Sequence, residues 1–119
     1  MPKGKMFKVS EKMQHVVNPP KHLMTHSFPL LSPKSCGAQF EFHVTEIHSG
    51  GKALDDLHEN EDHGFYCMSG RALAKVDGEE FLMEPGCALY VPKGAVHSFD
   101  VLGGETFRIG VIFAPPRKL

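Results

Sequence analysis

The sequence predicts an all-β domain, and three observations support that prediction. From Gln39 onward the chain divides into roughly six or seven short strand-like runs, each bounded by turn-forming residues. Proline and glycine fall between these runs, where they do not interrupt a sheet. No segment of the same region shows a convincing helical periodicity. Closely spaced short strands of this kind are typical of an antiparallel sandwich or barrel.

The predicted strands follow one another with clear turn signals between them. The first run, QFEFHVTEI, alternates large apolar residues with others and is followed by a glycine-rich turn. Asp77-Gly78 predicts a two-residue hairpin turn between RALAKV and EEFLM, because both residues tolerate positive φ angles. The later runs CALYV, AVHSFDVL and TFRIGVIF are separated by PKG and GGE, and APP ends the last one.

These signals divide the chain into three parts. Residues 1–37 are expected to form an irregular N-terminal segment, because prolines and glycines break it repeatedly. Residues 38–114 are expected to form the barrel, and residues 115–119 a short tail. The N-terminal segment contains many apolar side chains, namely Phe7, Val16, Val17, Leu23, Met24, Phe28, Leu30 and Leu31. Because burial of such side chains is favourable, we expect this segment to pack on the barrel or on a partner molecule.

Length, charge and cysteine count exclude several classes of protein. The 119 residues suffice for one domain with one hydrophobic core. The net charge is −1 and the basic residues are scattered, which argues against a nucleic-acid-binding surface. No apolar stretch approaches the roughly 20 residues of a membrane span, and the first residues lack the apolar stretch of a signal peptide. Three widely spaced cysteines do not suggest a disulfide framework, so we expect reduced thiols and a cytoplasmic protein.

Residues able to bind a metal ion cluster at two places in the barrel region. Asp56 and His58 are two residues apart, so their side chains share one face of an extended segment. The turn ENED then reverses the chain, and His63 starts the following strand. Further along, His97 comes directly after the tight turn PKG. Three imidazoles and one carboxylate on a single inner face would suit a divalent metal.

The same positions resemble the two sequence motifs of the cupin family, whose fold is a double-stranded β-helix, or jelly roll. The family's first motif is Gly-x5-His-x-His-x(3,4)-Glu-x6-Gly, and this chain has Gly50-x5-Asp56-x-His58-x4-His63-x6-Gly70. The second motif is Gly-x5-Pro-x-Gly-x2-His-x3-Asn, and this chain has Gly86-x5-Pro92-x-Gly94-x2-His97 with Val101 in the last place. The resemblance covers about residues 38–114. It implies a cupin barrel with a metal site.

The first motif departs from the family pattern at two of its ligand positions. Aspartate replaces the first histidine and histidine replaces the glutamate, so the resemblance implies the ligand set Asp56, His58, His63 and His97. Imidazole and carboxylate ligands suit Zn, Fe, Mn or Ni. Asp56 is shorter than a histidine, and it either binds the metal directly, binds through water or orients His58. Asn60 and Asp62 are alternative donors that do not fit the motif's spacing.

The resemblance implies a mononuclear metal site with open positions for a small organic molecule. Enzymes of dioxygenase, isomerase or lyase type share this fold, and so do non-catalytic ligand-binding or sensory modules, so enzyme activity remains open. A third possibility is a structural barrel that no longer binds metal. Catalysis would need a proton carrier, and Tyr66, Tyr90 and Glu61 are candidates by residue type. Cupins commonly dimerise, so the resemblance together with the apolar N-terminal segment predicts a homodimer.

Other residues fit no ligand spacing. Cys67 follows His63 by four residues on the same predicted strand, which predicts a buried position facing the barrel interior. Arg108 is a candidate for orienting a substrate carboxylate, although Phe107 and Ile109 compete for the inner face of that strand. The remaining histidines are expected at the surface or at an interface: His15, His22, His26, His43 and His48.

Overall fold

The computed structural model describes residues 4–13 and 18–117 and confirms the all-β fold. His15, Val16 and Val17 lie outside the described residues. The strands are β1 (His22–Leu31), β2 (Glu41–Leu57), β3 (Asp62–Ser69), β4 (Arg71–Val76), β5 (Glu79–Met83), β6 (Ala88–Val91), β7 (Val96–Leu102) and β8 (Phe107–Ala114). A 3-10 turn at Glu11–Met13 and a single-turn helix, α1, at Pro33–Cys36 accompany them. Neither helical turn in these ranges has the length and apolar character required to cross a membrane.

The strands form a nearly closed antiparallel barrel. Their order is β5-β4-β7-β2-β8-β3-β6, and β1 pairs with β2 outside this path. Along one edge, β2 pairs first with β8, from residue 41 to 47, and then with β7, from residue 52 to 57. Along its other edge it pairs with β1. The 17 residues of β2 therefore connect the two halves of the jelly roll.

A glycine pair lies where β2 changes partners. Gly50 has a φ of 82°, a conformation that other residues rarely adopt. A Cβ atom on Gly51 would lie 2.5 Å from the carbonyl oxygen of Leu23 on β1, so a larger residue would push the two strands apart. These glycines therefore allow one long strand to bend around the barrel while keeping both of its edges paired.

The sequence-based prediction of the hairpin is confirmed. Asp77 and Gly78 both have positive φ angles, 47° and 82°, and they connect β4 to β5 in antiparallel register. Cys67 is completely buried on β3, as predicted, and it belongs to the hydrophobic core of the barrel. Aromatic contacts continue through that core, with ring centroids 5.0 Å apart for Phe65 and Phe99.

Part of the N-terminal segment departs from the expectation of irregular structure. Residues 22–31 form β1, which pairs with β2 from Phe42 to Ala53. Pro29 does not prevent this pairing, because β1 lies outside the main path of the sheet, and an edge position tolerates a missing N–H donor. Residues 22–31 are therefore held to the barrel by strand pairing.

Candidate metal centre and cavity

Three histidines meet at one end of the barrel. His58 follows the last residue of β2, His63 lies on β3 and His97 lies on β7. Their ring centroids are 4.3 Å apart for His58 and His63, 5.0 Å for His63 and His97, and 5.9 Å for His58 and His97. One ligand atom of each ring lies within 4.8 Å of the other two. Because two nitrogen atoms bonded to one ion are at most about 4.2 Å apart, small ring movements would place all three on a single metal.

Local hydrogen bonds hold the chain segments that carry these histidines. The backbone N–H of Gly94, in the turn before β7, donates to the carbonyl oxygen of His58 over 2.8 Å. The N–H of Lys93 in the same turn donates to Asp62 Oδ1 over 2.9 Å. Asp62, which the sequence indicated as an alternative metal ligand, thus accepts a hydrogen bond from this turn. The tight PKG turn therefore ties His97 to the segment between His58 and His63.

The buried nitrogen atoms of this group fit a metal ion. Both ring nitrogens of His63 and Nδ1 of His97 are buried and have no hydrogen-bond partner among the described residues. Burial lowers the pKa of His63 to about 3, and it also lowers the pKa of His97. Both imidazoles are therefore neutral at physiological pH, which is the form that binds metals. A bound ion would supply the partner that these buried polar atoms otherwise need.

Two carboxylates flank His58. Asp56 Oδ2 lies 3.4 Å from His58 Nε2, and Glu61 Oε1 lies 3.6 Å from His58 Nδ1. The other oxygen of Asp56 accepts the N–H of Leu57 over 2.9 Å and lies 3.5 Å from Lys21 Nζ. Asp56 does not belong to the group whose ligand atoms all lie within 4.8 Å of one another. Asp56 therefore lies next to one nitrogen of His58, and Glu61 lies near the other.

The histidines line a cavity of about 690 Å³ inside the barrel. This volume lies in the range of sites that bind small organic ligands. Most of its wall is apolar and comes from strands β2, β3, β7 and β8, including Ile47, Phe65, Phe99, Ile109, Val111 and Phe113. The cavity can therefore surround an apolar molecule of moderate size while the histidines contact one part of it.

A second polar group lines the same cavity. Glu41 accepts hydrogen bonds from Arg117, with Nη2 2.9 Å from Oε1 and Nε 3.0 Å from Oε2. His43 Nε2 lies 3.2 Å from Glu41 Oε1, and burial lowers the pKa of His43. Because a carboxylate only accepts, His43 Nε2 carries the proton of the neutral ring. Arg117 comes from the predicted tail and packs over the Phe113 ring.

The prediction of a surface or interface position was wrong for His43. Glu41, His43, Thr45 and Ile47 line the cavity, so the odd-numbered residues of this part of β2 face inward. The alternation of Glu41, His43 and Thr45 on the strand that carries Asp56 was the available sequence signal. No local signal pointed to Arg117.

Several other candidates lie away from the cavity. Arg108 faces outward, where it pairs with Glu11 and, over 3.2 Å, with Glu46, so its predicted role in orienting a substrate was wrong. Ile109 takes the inward position on that strand. Tyr66 and Tyr90 are 52% and 62% exposed, which removes them as proton carriers in the cavity.

The remaining histidines on the described chain divide between surface and cavity. His26 is exposed, as predicted, and its Nδ1 lies 2.9 Å from Nε2 of the half-buried His48. His22 is half-buried and lines the rim of the cavity.

The barrel, its two motifs and the histidine group together define a cupin with a group of residues that could hold a metal. The chain belongs to the cupin family, since the family model described as "Cupin domain" matches residues 43–113. It is 33% identical over 79 residues to quercetin 2,3-dioxygenase of Bacillus subtilis (strain 168), covering 66% of this chain and 23% of that protein. It is 31% identical over 88 residues to the tetracenomycin polyketide synthase protein TcmJ of Streptomyces glaucescens, covering 72% and 58%. The chain therefore spans less than two thirds of these curated relatives.

Solved structures support the fold. The polyketide cyclase RemF from Streptomyces resistomycificus superposes with a TM-score of 0.81 at 24% identity, covering 96% of this chain and 82% of that one. A predicted oxalate decarboxylase from Thermotoga maritima superposes with a TM-score of 0.80 at 14% identity, covering 92% and 99%. At these identities the likeness concerns the fold alone.

Proposed function

We propose that this cupin domain binds one divalent transition metal through His58, His63 and His97 and acts as a metal-dependent enzyme on a small organic molecule. One observation carries the proposal: three imidazoles converge on the wall of a largely apolar cavity, and their buried nitrogens have no partner among the described residues. Asp56 is proposed as a fourth ligand or as a group that orients His58. Zn, Fe, Mn and Ni suit this donor set.

Different residues of the chain would have different roles at such a site. A bound divalent ion polarises a carbonyl or enolate oxygen of a substrate. Glu61 would hold the His58 ring through Nδ1 and so fix the direction of its other nitrogen. The apolar walls, among them Phe65 and Phe99, would bury the substrate body and exclude water from the reacting end.

The relatives favour an aromatic, oxygen-bearing substrate. One is a quercetin 2,3-dioxygenase, and another is a tetracenomycin polyketide synthase protein. A flat ring system with a hydroxyl or carbonyl oxygen fits a cavity with aromatic walls and histidines at one end. The proposal therefore includes dioxygenase, isomerase or lyase chemistry on such a molecule.

Metal analysis of purified protein tests the proposal. We expect about one equivalent of metal per chain in the wild type and less than about 0.1 equivalent in His58→Ala and in His97→Ala, because each loses one of three ligands. His26→Ala is the matched control, since His26 is exposed and lies outside the group. Wild-type levels of metal in both site variants would refute the assignment. The identity of the metal bound by the wild type also distinguishes the reaction types. Iron together with oxygen uptake would support dioxygenase chemistry, whereas zinc would favour isomerase or lyase chemistry.

A non-catalytic ligand-binding or sensory module is the second candidate. One observation favours it: both tyrosines proposed as proton carriers, Tyr66 and Tyr90, lie on the outer surface. His43 is placed in the cavity and could carry a proton, which favours the enzyme. Prolonged incubation of the metal-loaded protein with an aromatic ligand distinguishes the two, because only an enzyme yields product beyond one equivalent per chain.

A homodimer is proposed as the assembly in solution. The described part of the N-terminal segment exposes Met6 (99%), Leu23 (49%) and Met24 (58%), and a second copy would cover such side chains. Sedimentation at micromolar concentration should give twice the chain mass, and Met24→Lys should shift the protein toward monomer. A wild-type protein that sediments as a monomer would refute the proposal.

A further inference from the structure

The polar group at Glu41 lies at the same level of the barrel as the histidines. Strand register places Glu41 opposite Phe113, and Phe113 opposite His63. All three line the cavity. Because neighbouring strands are about 4.8 Å apart, Glu41 and His63 are separated by about 10 Å across the β8 strand. The cavity thus has two polar regions side by side, with one aromatic ring between them.

The Glu41 carboxylate is fully engaged. Besides the Arg117 guanidinium and His43, it accepts the backbone N–H of Arg117 over 2.7 Å. Its side chain is only 4% exposed. Burial alone would raise the pKa of this carboxyl, but the hydrogen bonds and charge of Arg117 lower it to about 2. Glu41 is therefore an ionised residue that holds Arg117 in place.

The Arg117 guanidinium is not fully engaged. Arg117 donates to Glu41 through Nε and Nη2, and Nη1 of Arg117 has no hydrogen-bond partner within the described ranges. The guanidinium carbon lies 4.1 Å from the centroid of the Phe113 ring, and the side chain is 29% exposed. A guanidinium held over an aromatic ring by a carboxylate keeps a fixed set of N–H donors available for a ligand.

We propose that Arg117 binds a carboxylate or phenolate group at one end of an aromatic ligand, with Glu41 as its positioning residue. In the cavity the ligand body would lie along Phe113, and its other end would reach the histidines. The role of that other end rests on the proposed function, whereas the anion subsite uses residues outside the metal group. Guanidinium groups pair with carboxylates through two parallel hydrogen bonds, which orients the ligand as well as binding it.

The charges of the cavity are consistent with an anionic ligand. Arg117 and Glu41 carry opposite charges and form an ion pair. A divalent ion on the histidines would add positive charge, which Asp56 and Glu61 beside His58 would partly offset. An anionic ligand would be attracted to both ends of the cavity, whereas a neutral ligand would offer Arg117 only neutral acceptors, which form weaker hydrogen bonds.

Calorimetric titration with 2-naphthoate and neutral 2-naphthalenemethanol tests the subsite. The full chain is titrated at pH 7 without metal, after treatment with a chelator, so the result is independent of the metal proposal. We expect the wild type to prefer 2-naphthoate by about tenfold or more, because its carboxylate makes charge-assisted hydrogen bonds. Arg117→Gln should abolish the preference, and Arg117→Lys should retain about threefold, because lysine keeps the charge and loses the paired donors.

Arg108→Gln is the matched control. Arg108 also pairs with glutamates, but on the outer surface, so this variant should keep the full preference. Equal binding of the two probes by the wild type would overturn the proposal, as would a tenfold preference in Arg117→Gln with an unchanged melting temperature. If Arg117→Gln does not fold, a full preference in Arg117→Lys is the overturning result. A preference lost in His58→Ala and kept in Arg117→Gln would place the anion at the histidines.

Discussion

The two polar regions of the cavity differ in whether their buried ionisable groups have hydrogen-bond partners. In the histidine region, buried ring nitrogens of His63 and His97 have no partner among the described residues. In the Glu41 region, a carboxylate that is just as deeply buried has a full set of donors from Arg117 and His43. An unsatisfied buried polar atom costs stability, whereas a satisfied pair can hold two chain segments together. The comparison indicates that the histidine nitrogens are left free for an ion, whereas the Glu41 carboxylate is used to hold Arg117 in place.

The largest expected effect is on metal binding, and it distinguishes His63 from His43, two buried histidines in different polar regions of the cavity. His63→Ala should weaken metal binding on the order of a thousandfold, because it removes one of three ligands. His43→Ala removes a buried histidine from the same cavity, but one outside the metal group, and should leave metal binding unchanged. Metal titration with a colorimetric chelator as competitor measures both. An equal loss in the two variants would mean that the division between the regions is wrong.

Removing the Glu41 charge should lower stability more than any change of a surface acid. Glu41→Gln leaves Arg117 without its ionic partner and should lower the free energy of unfolding by about 3 kcal/mol. Glu46→Gln breaks the pair with Arg108 on the outer surface and should cost less than about 1 kcal/mol. Urea unfolding measures both values. A loss below 1 kcal/mol in Glu41→Gln would show that the Glu41–Arg117 pair does not stabilise the barrel.

The same carboxylate should make stability depend on pH in a defined window. The pKa of Glu41 is about 2 in the folded protein, compared with 4.5 for an ordinary glutamate, so the unfolded chain binds this proton more tightly. Its contribution to stability is therefore complete above about pH 4.5 and is lost as the pH falls toward 2, by about 1.4 kcal/mol per pH unit. Glu41→Gln should flatten the stability profile in this window. An unchanged slope in that variant would contradict the assignment.

The smallest expected effect concerns the residue that orients His58. Glu61→Gln should lower metal affinity by about tenfold, because Glu61 Oε1 lies 3.6 Å from His58 Nδ1, and a carboxylate that orients a metal-binding histidine typically contributes this much. Glu59→Gln changes an exposed neighbouring acid and should have no effect. Comparison of the two metal affinities by calorimetry separates orientation of His58 from the general negative charge of this loop. Equal small losses would assign the effect to charge alone.

The sequence by itself determined the features that depend on local chemistry. Turn residues and short strands indicated the all-β barrel, and Asp77-Gly78 indicated its hairpin, because backbone preferences act over a few residues. Resemblance to the two cupin motifs predicted His58, His63 and His97 as a set, and the three lie together in the structure. The same reasoning could not decide the position of Asp56, which lies next to His58 and outside the compact group.

Only the tertiary structure decided which strand faces line the cavity and which residues far apart in the sequence are in contact. Alternation on β2 is compatible with either face lining the cavity, and closure of the barrel turned Glu41 and His43 inward. Strand β1 forms in a segment with weak local preference because β2 offers it an edge. Arg117 meets Glu41 across 76 residues. A buried carboxylate pairs with the charged group that lies nearest to it in the folded protein. Residues far apart in the sequence become neighbours only when the chain folds.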